Sequence, residues 1–215
     1  MLLGVPMNNI PVRIRVRYSK VGNLRFIGHL DTQRLFERAL RRSGLPLRYT
    51  QGFKKHIRLN LASALPLGFI STAELLDFWL GEPIEEQEIW QRLQSALPLE
   101  IRINDLKQVE NVLPSLQASL LSSEYKITLP KLVTSEQFQQ KLEQLLAQPG
   151  IPISRRDKTI DYKPLILGYS ISTEESVVNL RLSSTPTGNA RPDDLLQLLG
   201  IDPANCMIER VGLNF

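Results

Sequence analysis

Residues 12–18, VRIRVRY, alternate strictly between apolar and basic. Val12, Ile14, Val16 and Tyr18 share one face, and Arg13, Arg15 and Arg17 share the other. Successive strand side chains point to opposite sides, so this period of two predicts a half-buried strand with an arginine row on its open side. A turn at 20–23 follows. A helix is expected from His29–Asp31, with Asp31 placed to cap the first amides or to complement the helix dipole. Its buried stripe is Leu35, Phe36, Ala39 and Leu40, and Gly44 ends it as the residue after the last turn. Gln51-Gly52 is a second turn. Over 56–62, Ile57, Leu59 and Leu61 alternate with His56, Arg58 and Asn60. The run 72–80 fits helix or strand by periodicity; Gly68, Gly81 and Pro83 bound it closely, which selects strand. Glu85–Leu97 reads as a helix, and Leu99, Ile101 and Ile103 open a fourth strand.

This order is βαββαβ, the split βαβ of a ferredoxin-like domain. A linker is expected over 108–122, with one helical turn around 116–121. The pattern then restarts. Tyr125, Ile127 and Leu129 make a strand. Thr134 and Gln137 fit a capping box, and Phe138, Leu142, Leu145 and Leu146 form a helical stripe. A basic segment covers 154–164. Strands are expected near 165–172 and 177–183, a helix from Pro192 to Gly200, and a last strand over 207–213. The fold class is therefore α+β, with two tandem ferredoxin-like (βαββαβ) domains at 1–107 and 123–215. The order of elements suggests this; the sequence repeat alone is too weak to show it.

Charge changes the picture next. The first sixty residues hold thirteen Lys and Arg against two acids, Asp31 and Glu37, a net +11; the remainder is −7, giving +4 overall. A charge so concentrated repels itself and persists most naturally beside an anionic partner. No apolar run approaches the roughly 18 residues that span a bilayer. The opening MLLGVP is too short for a signal peptide, so a cytoplasmic protein without a membrane partner is expected. The single cysteine, Cys206, excludes an internal disulfide framework and any cysteine-only metal site, and is expected to be a small buried hydrophobe. No cofactor and no metal are expected.

The stretch 17–80 carries a set of short motifs: Tyr18, Ser19, Lys20 and Gly22; Arg25, Phe26, His29, Leu30 and Asp31; Arg41, Arg42, Gly44, Leu45 and Pro46; Gly52, Phe53 and His56; Leu65, Pro66, Leu67 and Gly68. In these it resembles the bacterial radical-SAM-associated family, a domain often fused C-terminal to a radical SAM protein. Lys158, Thr159, Ile160, Asp161 and Pro164 resemble a second marker of that family. Lys54-Lys55 depart from the pattern, where Asn-Pro is expected in relatives. The resemblance implies a radical SAM protein as partner. It does not make this chain the radical SAM enzyme, whose cluster needs three closely spaced cysteines. A weaker resemblance is to the tandem ferredoxin-like endoribonucleases of CRISPR processing. Their glycine-rich loop near the C-terminus is missing here, since only Gly200 and Gly212 follow Asn189.

The residues leave open whether His29 and Asp31 cap a helix or contact phosphate through its N-terminus. Arg34, Arg38, Arg41 and Arg42 form a helical stripe expected to converge with Arg13, Arg15 and Arg17 and with the turn Phe53, Lys54, Lys55, His56 and Arg58. Tyr49 and Phe53 are candidates to stack on bases. Arg155, Arg156 and Lys158 extend the basic set. An anion pocket is expected between Lys20, Arg25, His29 and His56. The functional expectation is an RNA-binding module, for tRNA or rRNA, acting with a radical SAM partner in RNA modification and without catalytic activity of its own. One alternative is a metal-independent endoribonuclease using His29 with Tyr18, Lys20 and His56. Another is a protein-interaction module that holds the radical SAM partner.

Overall fold

The computed structural model describes residues 10–155, 158–172, 174 and 176–215, with the backbone alone at 155 and 158. The chain is a mixed α+β protein. It divides into two compact units, one reaching to Leu67 and resuming over Ser71–Ala118, the other made of Gly68–Ile70 and Ser119–Phe215. No helix among the described residues is long and apolar enough to cross a membrane.

The first unit contains β1 (Val12–Lys20), α1 (His29–Arg42), β2 (Leu59–Leu61), β3 (Ile70–Leu80), α2 (Glu86–Ala96) and β4 (Ile101–Val109). The strands lie in the order β4-β1-β3-β2, and each neighbouring pair is antiparallel. The alternation of β1 does what its period requires. Ile14, Val16 and Tyr18 join Phe36, Ala39 and Leu40 of α1, Ile89 and Leu93 of α2, and Ile101, Ile103 and Leu106 of β4 in one core. Tyr18 meets Phe36 edge to face, with ring centroids 4.7 Å apart. Truncating a buried Phe such as Phe36 to Ala costs about 3–5 kcal/mol, through lost transfer energy and the cavity left behind. Gly22 bends the chain toward α1 with φ +60°, and a Cβ there would meet Glu100 Cγ at 3.0 Å.

Two expectations are corrected in this unit, and a third, left open between two roles for Asp31, is decided. The alternating run 56–62 forms a strand only over Leu59–Leu61, because the residues before it are held in a loop. Leu99 lies 88% exposed in the turn that Ile101 closes by donating its N–H to the Pro98 carbonyl, so the fourth strand starts at Ile101. Asp31 does not cap α1. The N-cap is Gly28, and Asp31 sits in the first turn, where its charge complements the dipole.

The second unit contains β5 (Ser122–Thr128), α4 (Ser135–Leu146), β6 (Pro152–Arg155), β7 (Lys158–Asp161), β8 (Ile166–Ser172), β9 (Val177–Ser183), α5 (Pro192–Leu198) and β10 (Met207–Asn214). Its sheet runs β10-β5-β9-β8, again antiparallel throughout. The short helix α3 (Leu116–Ser119) stands before β5. The capping box of α4 is present in both directions: Thr134 Oγ1 accepts from the Gln137 amide, and Gln137 Oε1 accepts from the Thr134 amide. The basic segment is a hairpin, with β6 paired to β7 from Pro152–Asp161 to Arg155–Lys158. Asp161 secures its base by accepting from the amides of Ile151 at 2.8 Å and Lys163 at 3.0 Å. Cys206 is only half-buried. Burial, and then the nearby Asp202 carboxylate, push its thiol pKa up.

Candidate nucleic-acid interface

The three β1 arginines do reach the sheet face opposite α1 and α2, but that face is not an open cationic row. Arg13 is 2% exposed. Its Nε and Nη2 donate to Asp77 Oδ2 at 2.9 and 2.6 Å, and it also donates to the carbonyls of Leu113 and Pro114. Arg15 donates to both oxygens of the same carboxylate, at 2.8 and 2.9 Å. Register explains the trio: Arg15 lies opposite Asp77, and Arg13 lies opposite Trp79, one position along the same face. A buried carboxylate held by two guanidiniums is charge consumed by the fold. Of the three, Arg17 stays exposed.

The α1 stripe stands on the other side of the sheet, so the two arginine sets diverge where convergence was expected. Arg34 pairs with Asp31 at 3.1 Å in solvent, and half-exposed Arg41 pairs at 3.8 Å with Glu37, whose side chain is largely buried. Arg38 donates to the Arg34 carbonyl and Arg42 to the Ala96 carbonyl. A carbonyl fixes a guanidinium without neutralising it, so Arg38 and Arg42 keep their full charge.

Beyond the C-terminal end of α1 the chain forms a narrow finger. Leu47 bridges to Leu80, and Tyr49 bridges to Ile57. The Arg48 amide donates to the Trp79 carbonyl, and the Arg58 amide donates to the Arg48 carbonyl. Thr50 and His56 close the finger with two bonds, Thr50 N–H to the His56 carbonyl at 2.8 Å and His56 N–H to Thr50 Oγ1 at 3.2 Å. Buried Ile57 anchors it to the core, while Phe53, Lys54, Lys55 and His56 are exposed and Tyr49 is 43% exposed. Arg58 places its Cζ 4.2 Å from the centroid of the Trp79 ring. At the root of the finger lies a cleft of about 500 Å³ lined by Pro11, Arg48, Tyr49, Thr50, Gln51 and Arg58. The chain carries no acid between Glu37 and Glu74. Arg48 and Trp79 were missed in the sequence reading. The signal for Arg48 was its place beside Tyr49 in that acid-free run; Trp79 was legible only as part of a strand.

The expected anion pocket does not form. Lys20 and His29 line one small cavity with Tyr18, Thr32, Ser63 and Glu74, but its volume is about 10 Å³, room for a water and not for a phosphate. Lys20 is 1% exposed and donates Nζ to the Ile27 carbonyl. Arg25 instead stacks on Phe26, with Cζ 4.6 Å from the ring centroid. His56 belongs to the far end of the unit. Tyr18 pairs with Glu74, whereas the finger joins β3 at Trp79–Leu80, about 17–20 Å along the strand. Among the described residues no cluster of His, Cys, Asp and Glu suits a metal ion. Arg156 lies outside the described residues, as do the side chains of Arg155 and Lys158, whose backbones close the β6–β7 hairpin.

Residues 13–192 match a family described as an uncharacterized protein conserved in bacteria, DUF2344. With that match covering most of its length, the chain belongs to this family. Among curated proteins nothing matches it.

Proposed function

We propose that the chain is an RNA-binding module whose two units are tandem ferredoxin-like domains. The single observation that carries this reading is the finger 48–58. It presents Tyr49, Phe53, Lys54, Lys55 and His56 to solvent beside Arg48 and Arg58, in a stretch of chain without an acid. Cations that track a phosphate backbone, interleaved with rings that stack on bases, are the physical requirements of single-strand recognition. Arg38 and Arg42 add uncompensated charge on α1 of the same unit. The RNA in this reading is a tRNA or rRNA, and the chemistry done on it is a modification carried out by a radical SAM partner. Crosslinking in cells, followed by sequencing of the bound RNA, tests the first part. Co-purification of a radical SAM protein with the tagged chain tests the second. Recovery of no RNA above background, together with capture of the radical SAM protein, would favour a holding module instead.

The endoribonuclease alternative has one observation in its favour, the gathering of Tyr18, Lys20 and His29 around a shared cavity. Two protonatable groups near a histidine are what general acid–base cleavage needs. The cavity is far smaller than a scissile phosphate. The purified chain is therefore expected not to cleave RNA. Metal-independent cleavage that disappears in His29→Ala would replace the binding reading with the nuclease.

A further inference from the structure

We propose that the cleft at the root of the finger is a subsite for one unpaired nucleotide, with the base stacked on Arg58 and the phosphate held by Arg48; the assignment rests on the RNA-binding reading above. The guanidinium of Arg58 lies over the Trp79 indole at 4.2 Å, and Trp79 itself is 4% exposed. The indole therefore covers one face of a planar cation that remains exposed, and the second face is offered to another ring. Arg13 reaches the same indole at 5.3 Å, and its bonds to Asp77 fix it there, so the platform is buttressed from inside the sheet. A volume of about 500 Å³ suits a nucleotide and falls within the ordinary range of ligand clefts. Arg48 lines the same cleft, and its backbone is bonded directly to that of Arg58, so the two side chains leave one rigid ladder rung. Tyr49 forms the outer wall with a ring and a hydroxyl. Among the described residues that line it are two arginines and a phenol and no carboxylate, a set that selects a phosphate joined to an aromatic ring. A paired base cannot enter, because its faces are already stacked and its edge is engaged.

The experiment uses the full chain and a fluorescein-labelled single-stranded oligoribonucleotide of about ten residues, a length within the usual single-strand site size. A duplex of the same sequence and poly-glutamate serve as competitors. Arg58→Gln and Tyr49→Ala are each expected to weaken single-strand binding about tenfold, the scale of one lost stacking contact. Arg58→Lys, which keeps the charge and loses the plane, is expected to lose nearly as much, and circular dichroism confirms that each variant is folded. Duplex and poly-glutamate are expected to compete poorly. Tight binding by the wild type with unchanged affinity in Arg58→Gln and Tyr49→Ala would overturn the subsite and leave the RNA reading standing. Full recovery in Arg58→Lys, or displacement by poly-glutamate at equal charge, would show a plain anion patch and also overturn it. Failure of the wild type to bind any RNA would overturn both.

Discussion

The arginines of β1 and those of α1 and the finger carry the same charge into different surroundings. Arg13 and Arg15 close on Asp77, a carboxylate with no exposed surface, and the backbone carbonyls of Leu113 and Pro114 accept two further bonds from Arg13. Arg38, Arg42, Arg48 and Arg58 lie in a run of thirty-six residues without an acid, and the partners seen for Arg38, Arg42 and Arg58 are carbonyls and a ring. Each arginine of either set carries the same unit charge. What separates them is whether a carboxylate stands opposite in the sheet register. A basic stretch is evidence for an anionic ligand only after the anions of its own fold have been subtracted.

The largest effect that tests this contrast is on stability. Asp77→Ala would leave Arg13 buried and uncompensated, and breaking a buried pair from one side costs about 3–5 kcal/mol. Urea unfolding measures it as a lower midpoint. A loss below about 1 kcal/mol would mean that the β1 arginines are surface charges after all, and the distinction between the sets would collapse.

A smaller effect, on affinity, probes the other set. Replacing Arg38, Arg41 and Arg42 together with Ala is expected to leave the fold intact and to weaken RNA binding about tenfold or more. The slope of log affinity against log salt should become shallower by about 2, the share of three phosphate contacts on a single strand. An unchanged slope would remove α1 from the contact surface and leave the finger alone. Arg15→Ala, by contrast, should alter stability and leave that slope as it was.

The sequence revealed the fold wherever one physical rule acted alone. The period of two in VRIRVRY placed Ile14, Val16 and Tyr18 in the core, and the Thr134–Gln137 capping box marked the start of α4 to the residue. Local rules failed where a distant partner decided. Nothing near Arg13 in the chain announces Asp77, sixty-four residues away. Lys20 looks like a surface lysine until β1 turns its Nζ toward the Ile27 carbonyl. The candidate site was half legible for the same reason. Tyr49, Phe53, Lys54, Lys55 and His56 sit in one exposed loop and could be read together, whereas the platform of Arg58 on Trp79 exists only once β3 lies beside the finger.

Exposed pairs extend the contrast to weak effects. Asp31 and Arg34 meet at 3.1 Å on α1 with both side chains more than half exposed. Water screens them, and holding two long side chains costs entropy, so Arg34→Ala is expected to change stability by only about 0.5 kcal/mol. A loss near that of Asp77→Ala would show that solvent exposure does not govern the worth of these arginines.

The smallest effect comes from a carboxylate that meets amides rather than guanidiniums. Asp161 is held below the usual aspartate range first by the hydrogen bond from the Ile151 amide, then by that from Lys163, with the Lys163 charge adding to them against a slight burial cost. A folded pKa depressed below the unfolded value means that the contribution is present above about pH 4, where an unfolded aspartate is ionised, and is lost as pH falls through the lower folded value. Being open to solvent, Asp161 should affect only its own turn. Amide exchange, corrected for the intrinsic pH dependence, should therefore show protection at Ile151 and Lys163 falling below about pH 4. Asp161→Asn keeps an acceptor oxygen and should remove the acid dependence without unfolding the hairpin. If protection at Ile151 stays flat through the acid range in the wild type, the backbone pairing of β6 with β7 secures the turn and the carboxylate is incidental to it.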